Sequence, residues 1–389
     1  MDETVLEKLI VKSESLKEWA SQFINKRSSF EDISKTGIDF FVGISGLRGV
    51  GKTVLLLQLA KQMKSSVYFS ADSSYLLQYS LYEIYDALRK KGMKTLFIDE
   101  IHTRSGWTKD LKTIYDEHEV RIFFSGSSSL KLKESSADLS RRVVMYTIKP
   151  VSFREHLNIR KGFDIPVYTF EQIINHGKEI SLKHLKAFEY IDEYCKSGGV
   201  LYSGEGFEKA LENAIQKAIT VDLASLRNIN IKYEHDVWRL LYHIASSQPF
   251  EASFSSISQK LGVSKTFAIR LIDDLVHAGL LEIVFPCKRK GKNMLKEPKI
   301  YLPIPIRMFL NSNPEKGSLR EEFFVNHVPV SCYLKTERGE KTPDFIVNGK
   351  TIEVGGASKS FMQNSDYIAV DSALWEENRI PLFLFGFLY

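Results

Sequence analysis

The sequence has few cysteines and no long apolar run. Its 389 residues include only three cysteines, at positions 195, 287 and 332, with no metal-ligand spacing between them. An odd, sparse set favours reduced thiols over a disulfide framework. No apolar run approaches the roughly 18 residues that span a bilayer, and the acidic residues 1–4 do not resemble a signal peptide. The sequence therefore predicts a cytoplasmic protein without a membrane partner.

Neither sign of charge is in large excess. The sequence has 53 Lys and Arg against 48 Asp and Glu, and the resulting net charge of +5 favours a polyanionic partner only weakly. A hydrophobic content of 43% and a charged content of 26% are typical of a globular protein with a sizeable core. The length predicts two to four domains.

The most specific pattern is G-x-x-x-x-G-K-T at residues 46–53. An apolar run precedes it and another follows it, which is the strand–loop–helix context of a phosphate-binding loop. Glycines let successive N–H groups point at an anion, and the next helix adds its positive dipole end. In such a loop Lys52 reaches the β- and γ-phosphates of ATP and the Thr53 hydroxyl ligates Mg²⁺. The predicted nucleotide-binding residues are Gly46, Arg48, Gly49, Val50, Gly51, Lys52, Thr53 and Val54.

Two adjacent carboxylates, Asp99 and Glu100, end the apolar run 95–98. Asp99 can hold Mg²⁺ directly or through water, and Glu100 can act as the general base that polarises the attacking water. This pair favours hydrolysis over transfer to a small acceptor. Ser125 ends the next strand and is the candidate contact to the γ-phosphate, although Ser127 and Ser128 suit that role equally well.

Strands alternate with helices over the first 148 residues. Short apolar runs at 40–44, 67–70, 95–99, 121–125 and 143–148 are separated by helical patterns. This alternation predicts the α/β class, with a parallel, doubly wound sheet.

The order of these motifs resembles that of an AAA+ ATPase. It is most similar to the prokaryotic AAA family ATP-binding proteins that carry a C-terminal domain of unknown function. Segments 150–155, 197–199, 221–222, 353–356 and 380–389 resemble further landmarks of that family.

The resemblance implies ATP and Mg²⁺ as cofactors and Lys52, Thr53, Asp99 and Glu100 as the catalytic set, with Ser125 as the sensor. It also matches Arg142 to an arginine finger that serves a neighbouring subunit of a homo-oligomer. The alternative is that Arg141 and Arg142 form a solvated basic pair.

The chain after residue 157 shows two further patterns, a helical stretch at 158–228 and a winged helix-turn-helix at 229–310. The predicted recognition helix carries Lys265 and Arg270 against Asp273 and Asp274, so its charge nearly cancels. A basic wing at 288–299 follows, with six cations against one acid. The pattern fits either contact with double-stranded DNA or docking of a partner protein.

Residues 311–389 resemble a restriction-endonuclease-like core. Asp344 and Glu353 match its two metal-binding acids, but Gly355 occupies the position of its lysine. Lys359 could substitute only if the loop folds back, so the sequence favours a degenerate domain that does not cut DNA.

The predicted domains are an N-terminal helix at 1–30, the ATPase core at 31–157, a helical linker or lid at 158–228, the winged helix at 229–310 and the nuclease-like domain at 311–389. The predicted function is Mg²⁺-dependent ATP hydrolysis that switches a DNA or protein interaction. The alternatives are a non-hydrolysing, nucleotide-gated DNA-binding regulator and an ATP-gated nuclease.

Overall fold

The computed structural model describes residues 1–126, 139–223, 231–248, 254–287, 298–334, 342–359 and 365–389. The chain forms two compact units. Unit 1 comprises Met1–Lys149 and Asn213–Asn228, and unit 2 comprises Pro150–Glu212 and Ile229–Tyr389. The five-part division predicted from the sequence stays an interpretation, but it does not anticipate that residues 213–228 belong with the first 149.

Unit 1 is built on a five-stranded parallel sheet with the strand order β2-β3-β4-β1-β5. This arrangement confirms the predicted α/β class. The strands are β1 Phe41–Gly46, β2 Ser66–Ser70, β3 Thr95–Asp99, β4 Arg121–Gly126 and β5 Val143–Ile148. The helices are α1 Glu3–Trp19, α2 Phe30–Ser34, α3 Lys52–Gln62, α4 Leu81–Lys90 and α5 Trp107–Glu117.

Both faces of this sheet are buried. Successive strand side chains point to opposite faces, so Leu96 and Ile98 join one apolar cluster while Phe97 joins the other. The first cluster contains residues of α1, α4 and α5, and the second contains residues of α2 and α3. Two covered faces explain why the strands read as continuous apolar runs.

Unit 2 is largely helical in its first part. Its helices are α6 Phe153–Lys161, α7 Phe170–Lys183, α8 Ile191–Ser197, α9 Phe207–Lys217, α10 Ile231–Ala245, α11 Phe254–Leu261, α12 Lys265–His277, α13 Ile306–Leu310 and α14 Lys316–His327. Helix α9 crosses the boundary at residue 212 and continues into unit 1 as a π-helical segment, Ala218–Leu223.

Two sheets complete unit 2. Strands β6 Glu282–Val284 and β7 Lys299–Tyr301 form an antiparallel pair. The other sheet has the order β12-β11-β10-β9-β8 and mixes parallel and antiparallel neighbours. Its strands are β8 Cys332–Tyr333, β9 Phe345–Val347, β10 Lys350–Gly356, β11 Tyr367–Asp371 and β12 Arg379–Pro381.

The last apolar run departs from its prediction. A buried strand is expected over 380–389, but β12 ends at Pro381 and a 3₁₀ helix, Leu382–Phe387, follows. Every residue of that helix is buried. A run that is apolar on all sides has no period that separates strand from helix, so the pattern could not distinguish them.

The expectation of reduced cysteines is wrong for two of the three. Cys287 and Cys332 form a disulfide, whereas Cys195 is free and buried. No sequence pattern indicates this pairing, because the two cysteines are 45 positions apart in the chain. The fold brings them together where the Cys287 amide donates to the Tyr333 carbonyl at 3.0 Å. Within the described ranges no helix is both long and apolar enough to cross a membrane.

Candidate functional site

The loop between β1 and α3 has the backbone of an anion-binding turn. Gly46, Gly49 and Gly51 all have positive φ angles, at 154°, 85° and 91°. A Cβ atom on Gly46 would lie 2.6 Å from the Ile148 carbonyl oxygen, so only glycine fits there. Helix α3 begins at Lys52 and directs its N-terminal N–H groups toward this loop.

Lys52 lies inside the loop rather than in solvent. The side chain is buried, and its ammonium donates to the carbonyls of Gly46 and Leu47 at 2.9 Å each. Burial lowers the pKa of Lys52, while Glu100 and then Asp99 act in the opposite direction. Both carboxylates therefore lie close enough to influence this cation.

Asp99 collects hydrogen bonds from three other segments. Thr53 Oγ1 donates to its Oδ2 at 2.6 Å, and Ser125 Oγ donates to its Oδ1. Tyr68 of β2 also donates its hydroxyl to Oδ2, at 2.9 Å. The structure thus brings together three predicted residues and adds Tyr68, which the sequence analysis missed. Because burial raises the pKa of Tyr68, the phenol stays a donor.

The Thr53 hydroxyl and the Asp99 carboxylate are suitable ligands for Mg²⁺. This ion is usually held by one or two carboxylates, with phosphate oxygens and water completing its octahedron. The described ranges contain no group of three or more His, Cys, Asp and Glu side chains placed to hold a metal. A site that phosphate and water complete does not require such a group.

Glu100 adopts a left-handed backbone conformation, with φ 52°. Its side chain is 24% exposed, and its Oε2 lies 3.5 Å from His102 Nε2. A residue other than glycine in this conformation stores strain, and such strain is common at functional positions. The turn places the carboxylate beside Asp99 while leaving part of it accessible.

Arg48 links the loop to a distant part of the chain. Its Nη2 donates to Asp222 Oδ1 at 2.9 Å. Asp222 belongs to the π-helical segment and is only 4% exposed. Burial raises the pKa of Asp222, and the guanidinium opposes that effect. The sequence analysis notes Asp222 only as a family landmark and assigns it no contact.

Arg142 lies away from the loop of its own chain. It immediately precedes β5, where its carbonyl accepts a hydrogen bond from the Phe41 amide at the start of β1. The loop follows the opposite end of the six-residue strand β1, and the rise over the strand places it about 16 Å away. The guanidinium instead donates to Asp116 at 3.0 Å and lies over the Tyr115 ring. A role toward a neighbouring subunit stays a prediction, and the alternative sensors Ser127 and Ser128 lie outside the described residues.

In unit 2, the predicted recognition helix α12 has a different surface charge from the one its sequence suggests. Asp274 is 2% exposed and accepts a hydrogen bond from the Tyr233 hydroxyl at 2.9 Å. Lys265, Arg270 and Asp273 are exposed. The exposed part of α12 therefore carries more positive charge than the residue count indicates. Most of the basic wing, residues 288–297, lies outside the described ranges.

The part of unit 2 for which the sequence predicts a nuclease-like domain contains a mixed charge cluster, formed by Lys299, Glu321, Asp344, Glu353 and Lys359. Glu353 is 3% exposed, and its Oε2 is a buried atom without a hydrogen-bond partner. The Val354 amide donates to Asp344 Oδ2 at 2.9 Å. Burial raises the pKa of both Asp344 and Glu353, and the negative charge of Asp344 raises that of Glu353 further.

Lys359 occupies the space that a side chain at position 355 would need. A Cβ atom on Gly355 would lie 2.7 Å from Lys359 Cγ. The Lys359 ammonium is 2.6 Å from Glu353 Oε1. The turn is fixed by Arg379, which donates to the carbonyls of Ala357 and Lys359. The loop does fold back, which was the condition for Lys359 to replace the missing lysine.

Comparison with known families identifies one segment of the chain. Residues 39–157 match the AAA domain. The matched segment contains the phosphate loop, Asp99, Glu100, Ser125 and Arg142. It ends before the π-helical segment, so the Arg48–Asp222 hydrogen bond joins the matched segment to a part of the chain outside the match.

Two proteins that resemble this chain in sequence are described as uncharacterised proteins. The protein MJ1637 of Methanocaldococcus jannaschii is 28% identical over 88% of this chain and 83% of its own length. A Haemophilus influenzae protein is 24% identical over 72% of this chain and 71% of its own. Among solved structures, AMPPCP-bound DnaA from Aquifex aeolicus aligns at 17% identity and a TM-score of 0.26, covering 70% of this chain and 90% of that one.

Proposed function

We propose that unit 1 binds ATP with Mg²⁺ and hydrolyses it to ADP and phosphate. The observation that carries the proposal is the contact of Thr53 with Asp99, at 2.6 Å, beside a glycine loop that encloses Lys52. A hydroxyl, a carboxylate and an ammonium on one anion-binding loop are the groups that a Mg²⁺–triphosphate requires. The AAA domain match over the same residues supports this assignment.

Each side chain has a defined part in the proposed reaction. Lys52 neutralises charge on the β- and γ-phosphates, whose oxygens replace the carbonyls of Gly46 and Leu47 as hydrogen-bond acceptors of its ammonium. Thr53 and Asp99 would hold Mg²⁺, which would offset negative charge on the phosphate oxygens. Glu100 orients the attacking water and accepts its proton. Ser125, held against Asp99, is the proposed contact to the γ-phosphate.

The direct test is phosphate release at saturating ATP with and without Mg²⁺, for the parent and for Asp99→Asn. We expect Mg²⁺-dependent turnover in the parent and its loss in the variant, because a neutral amide replaces the negatively charged carboxylate that would hold the metal. Asp86→Asn is the matched control, since Asp86 pairs with Arg89 on α4 away from the loop. Equal turnover of Asp99→Asn and the parent would refute the assignment.

We further propose that nucleotide occupancy switches the binding of double-stranded DNA by unit 2. The burial of Asp274 supports DNA over a protein partner, because it leaves Lys265 and Arg270 against Asp273 on the exposed part of α12. Lysine and arginine contacts to phosphates make affinity fall steeply with salt. Duplex binding measured at two salt concentrations, with ATP and with ADP, tests both parts. An affinity for duplex DNA that does not change with salt concentration would favour the alternative, in which unit 2 docks a partner protein.

A second candidate function is metal-dependent hydrolysis of phosphodiesters in unit 2. The observation that favours it is the placement of Lys359 over Gly355 with its ammonium on Glu353. Asp344 and Glu353 supply two carboxylates, which suffice for Mg²⁺ when substrate phosphate and water complete its shell. The lysine then supplies the cation whose absence from position 355 predicted an inactive domain.

Plasmid nicking with Mg²⁺ or Mn²⁺ tests this second candidate. We expect nicking by the parent and its loss in Lys359→Ala and in Asp344→Asn. Lys350→Ala is the matched control, because Lys350 is an exposed lysine at the start of the same strand, β10. If the parent does not nick DNA, the degenerate domain predicted from the sequence is the correct reading.

A further inference from the structure

The Arg48–Asp222 contact joins two parts of unit 1 that are 174 residues apart in the chain. Arg48 lies within the phosphate loop, between Gly46 and Gly49. Asp222 lies in the segment that begins at residue 213 and belongs to unit 1, although unit 2 residues flank it on both sides. The Arg48 side chain therefore connects the phosphate loop to a segment that unit 2 follows in the sequence.

The arginine still has a hydrogen-bond donor to offer. Nη2 is used by Asp222, but Nε is a buried atom with no partner in the structure. An unsatisfied buried donor costs roughly 1–3 kcal/mol, so native structures rarely keep one without a reason. Guanidinium groups bind phosphate through several N–H groups held in one plane. A phosphate in the loop would give Nε the acceptor it lacks.

Asp222 is buried at the contact with Arg48. Its side chain is 5% exposed, so a charge there is costly without a cationic partner. Burial raises the pKa of Asp222, Arg48 and then His102 oppose that effect, and the negative charge of Glu100 adds to it. Arg48 offsets the repulsion by Glu100 from inside the loop. The hydrogen bond to Asp222 restrains the guanidinium of a side chain that is otherwise 22% exposed.

We propose that Asp222 is a positioning residue that holds Arg48 ready to bind a phosphate oxygen of the nucleotide, so that segment 213–223 senses whether the loop is occupied. This inference rests on the proposed function of unit 1. Asp222 itself touches no phosphate. It acts through Arg48.

A double-mutant cycle on nucleotide affinity tests the proposal. Binding of a non-hydrolysable ATP analogue with Mg²⁺ is measured for the parent, Arg48→Ala, Asp222→Asn and the double variant. We expect each single variant to weaken binding about tenfold, which is about 1.4 kcal/mol, and the double variant to be no weaker than Arg48→Ala. Arg48→Lys keeps the positive charge but lacks the planar set of N–H donors of the guanidinium. We expect its affinity to lie between those of Arg48→Ala and the parent.

A second readout separates positioning from a structural role. Amide hydrogen exchange over residues 213–223 should slow when the analogue binds to the parent, and it should not respond in Asp222→Asn. Asp371→Asn is the matched control, because Asp371 forms an Arg–Asp pair of the same 2.9 Å length with Arg320 in unit 2. We expect it to leave both readouts unchanged.

Three results would overturn the inference. They are unchanged affinity in Asp222→Asn, purely additive losses in the double variant, and exchange over 213–223 that ignores the nucleotide in the parent. Failure of the parent itself to bind the analogue would instead refute the proposed function. If Asp222→Asn does not fold, Arg48→Lys and Arg48→Ala still decide whether the guanidinium fork contributes to affinity.

Discussion

The left-handed backbone conformation of Glu100 leads us to predict an unusual order of stability for substitutions at this position. At φ 52° an L-residue pays about 1–2 kcal/mol relative to its right-handed conformation, and glycine does not. Glycine loses more conformational entropy on folding, which offsets about 0.5–1 kcal/mol of that advantage. We therefore expect Glu100→Gly to be more stable than Glu100→Ala by about 0.5–1 kcal/mol, the reverse of the usual order.

The comparison of these two variants isolates the backbone. Both lose the carboxylate and its proximity to His102, so differences in side-chain contacts cancel. Both should also lose hydrolysis by the factor of roughly 10²–10⁴ that a general base supplies. We therefore expect the two variants to differ in stability, measured by urea denaturation, but to show the same loss of phosphate release at saturating ATP. Glu100→Gln, which keeps the shape of the side chain, should bind ATP but not hydrolyse it.

The control is the same pair of substitutions in a helix. Lys112 lies within α5, and there Ala should be more stable than Gly by about 1 kcal/mol. In a domain of this size a difference of 1 kcal/mol moves the unfolding midpoint by about 2–4 °C. If Glu100→Ala proves as stable as Glu100→Gly, the turn at residue 100 is not strained. Undiminished hydrolysis in either variant would remove Glu100 from the mechanism.

Four further predictions concern Lys52, Tyr68, His156 and the basic wing. Lys52→Ala should abolish or severely weaken ATP binding, because it removes the cation that faces the phosphates; tight binding by the variant would disprove the loop assignment. Tyr68→Phe should lower the free energy of unfolding by about 1.5 kcal/mol, since Asp99 loses a donor while the buried volume is kept, and an unchanged value would contradict the role of that hydroxyl. Burial lowers the pKa of His156 to about 4. Protonation of His156 therefore favours the unfolded state, and the free energy of unfolding should fall by about 3 kcal/mol between pH 6.5 and pH 4. This loss should be smaller in His156→Gln. An identical pH profile for the variant and the parent would refute the prediction. Reversing the three cations at 288–290 to Glu should reduce the salt dependence of any DNA binding by about one unit of log–log slope per lost contact, whereas an unchanged slope would exclude the wing.

Sequence reasoning succeeds here where the chemistry is local. The phosphate loop spans eight consecutive residues, and Asp99 and Glu100 are adjacent at the end of one strand. A strand, a turn and a helix that follow one another leave little freedom in where these side chains lie. The parallel α/β class follows from the same alternation, and the sheet confirms it.

Sequence reasoning misses contacts that depend on which segments become neighbours. Tyr68 reaches Asp99 because β2 lies next to β3, and no pattern in the sequence specifies that neighbour. Asp222 meets Arg48 through a segment that returns from unit 2. Lys359 and Gly355 show a related difficulty, because a motif compares fixed positions whereas a side chain four residues away can fill the same space.

The discontinuous chain of unit 1 has a consequence for how the protein is made. The loop residues are synthesised early, but the segment that supplies Asp222 follows only after residues 150–212 of unit 2. At 5–20 residues per second the ribosome needs roughly 3–13 s to add that stretch. During this interval Arg48 has no partner and the nascent domain is incomplete. A truncated chain ending at residue 157 would remain permanently in that state, so its nucleotide affinity would describe an assembly intermediate of unit 1.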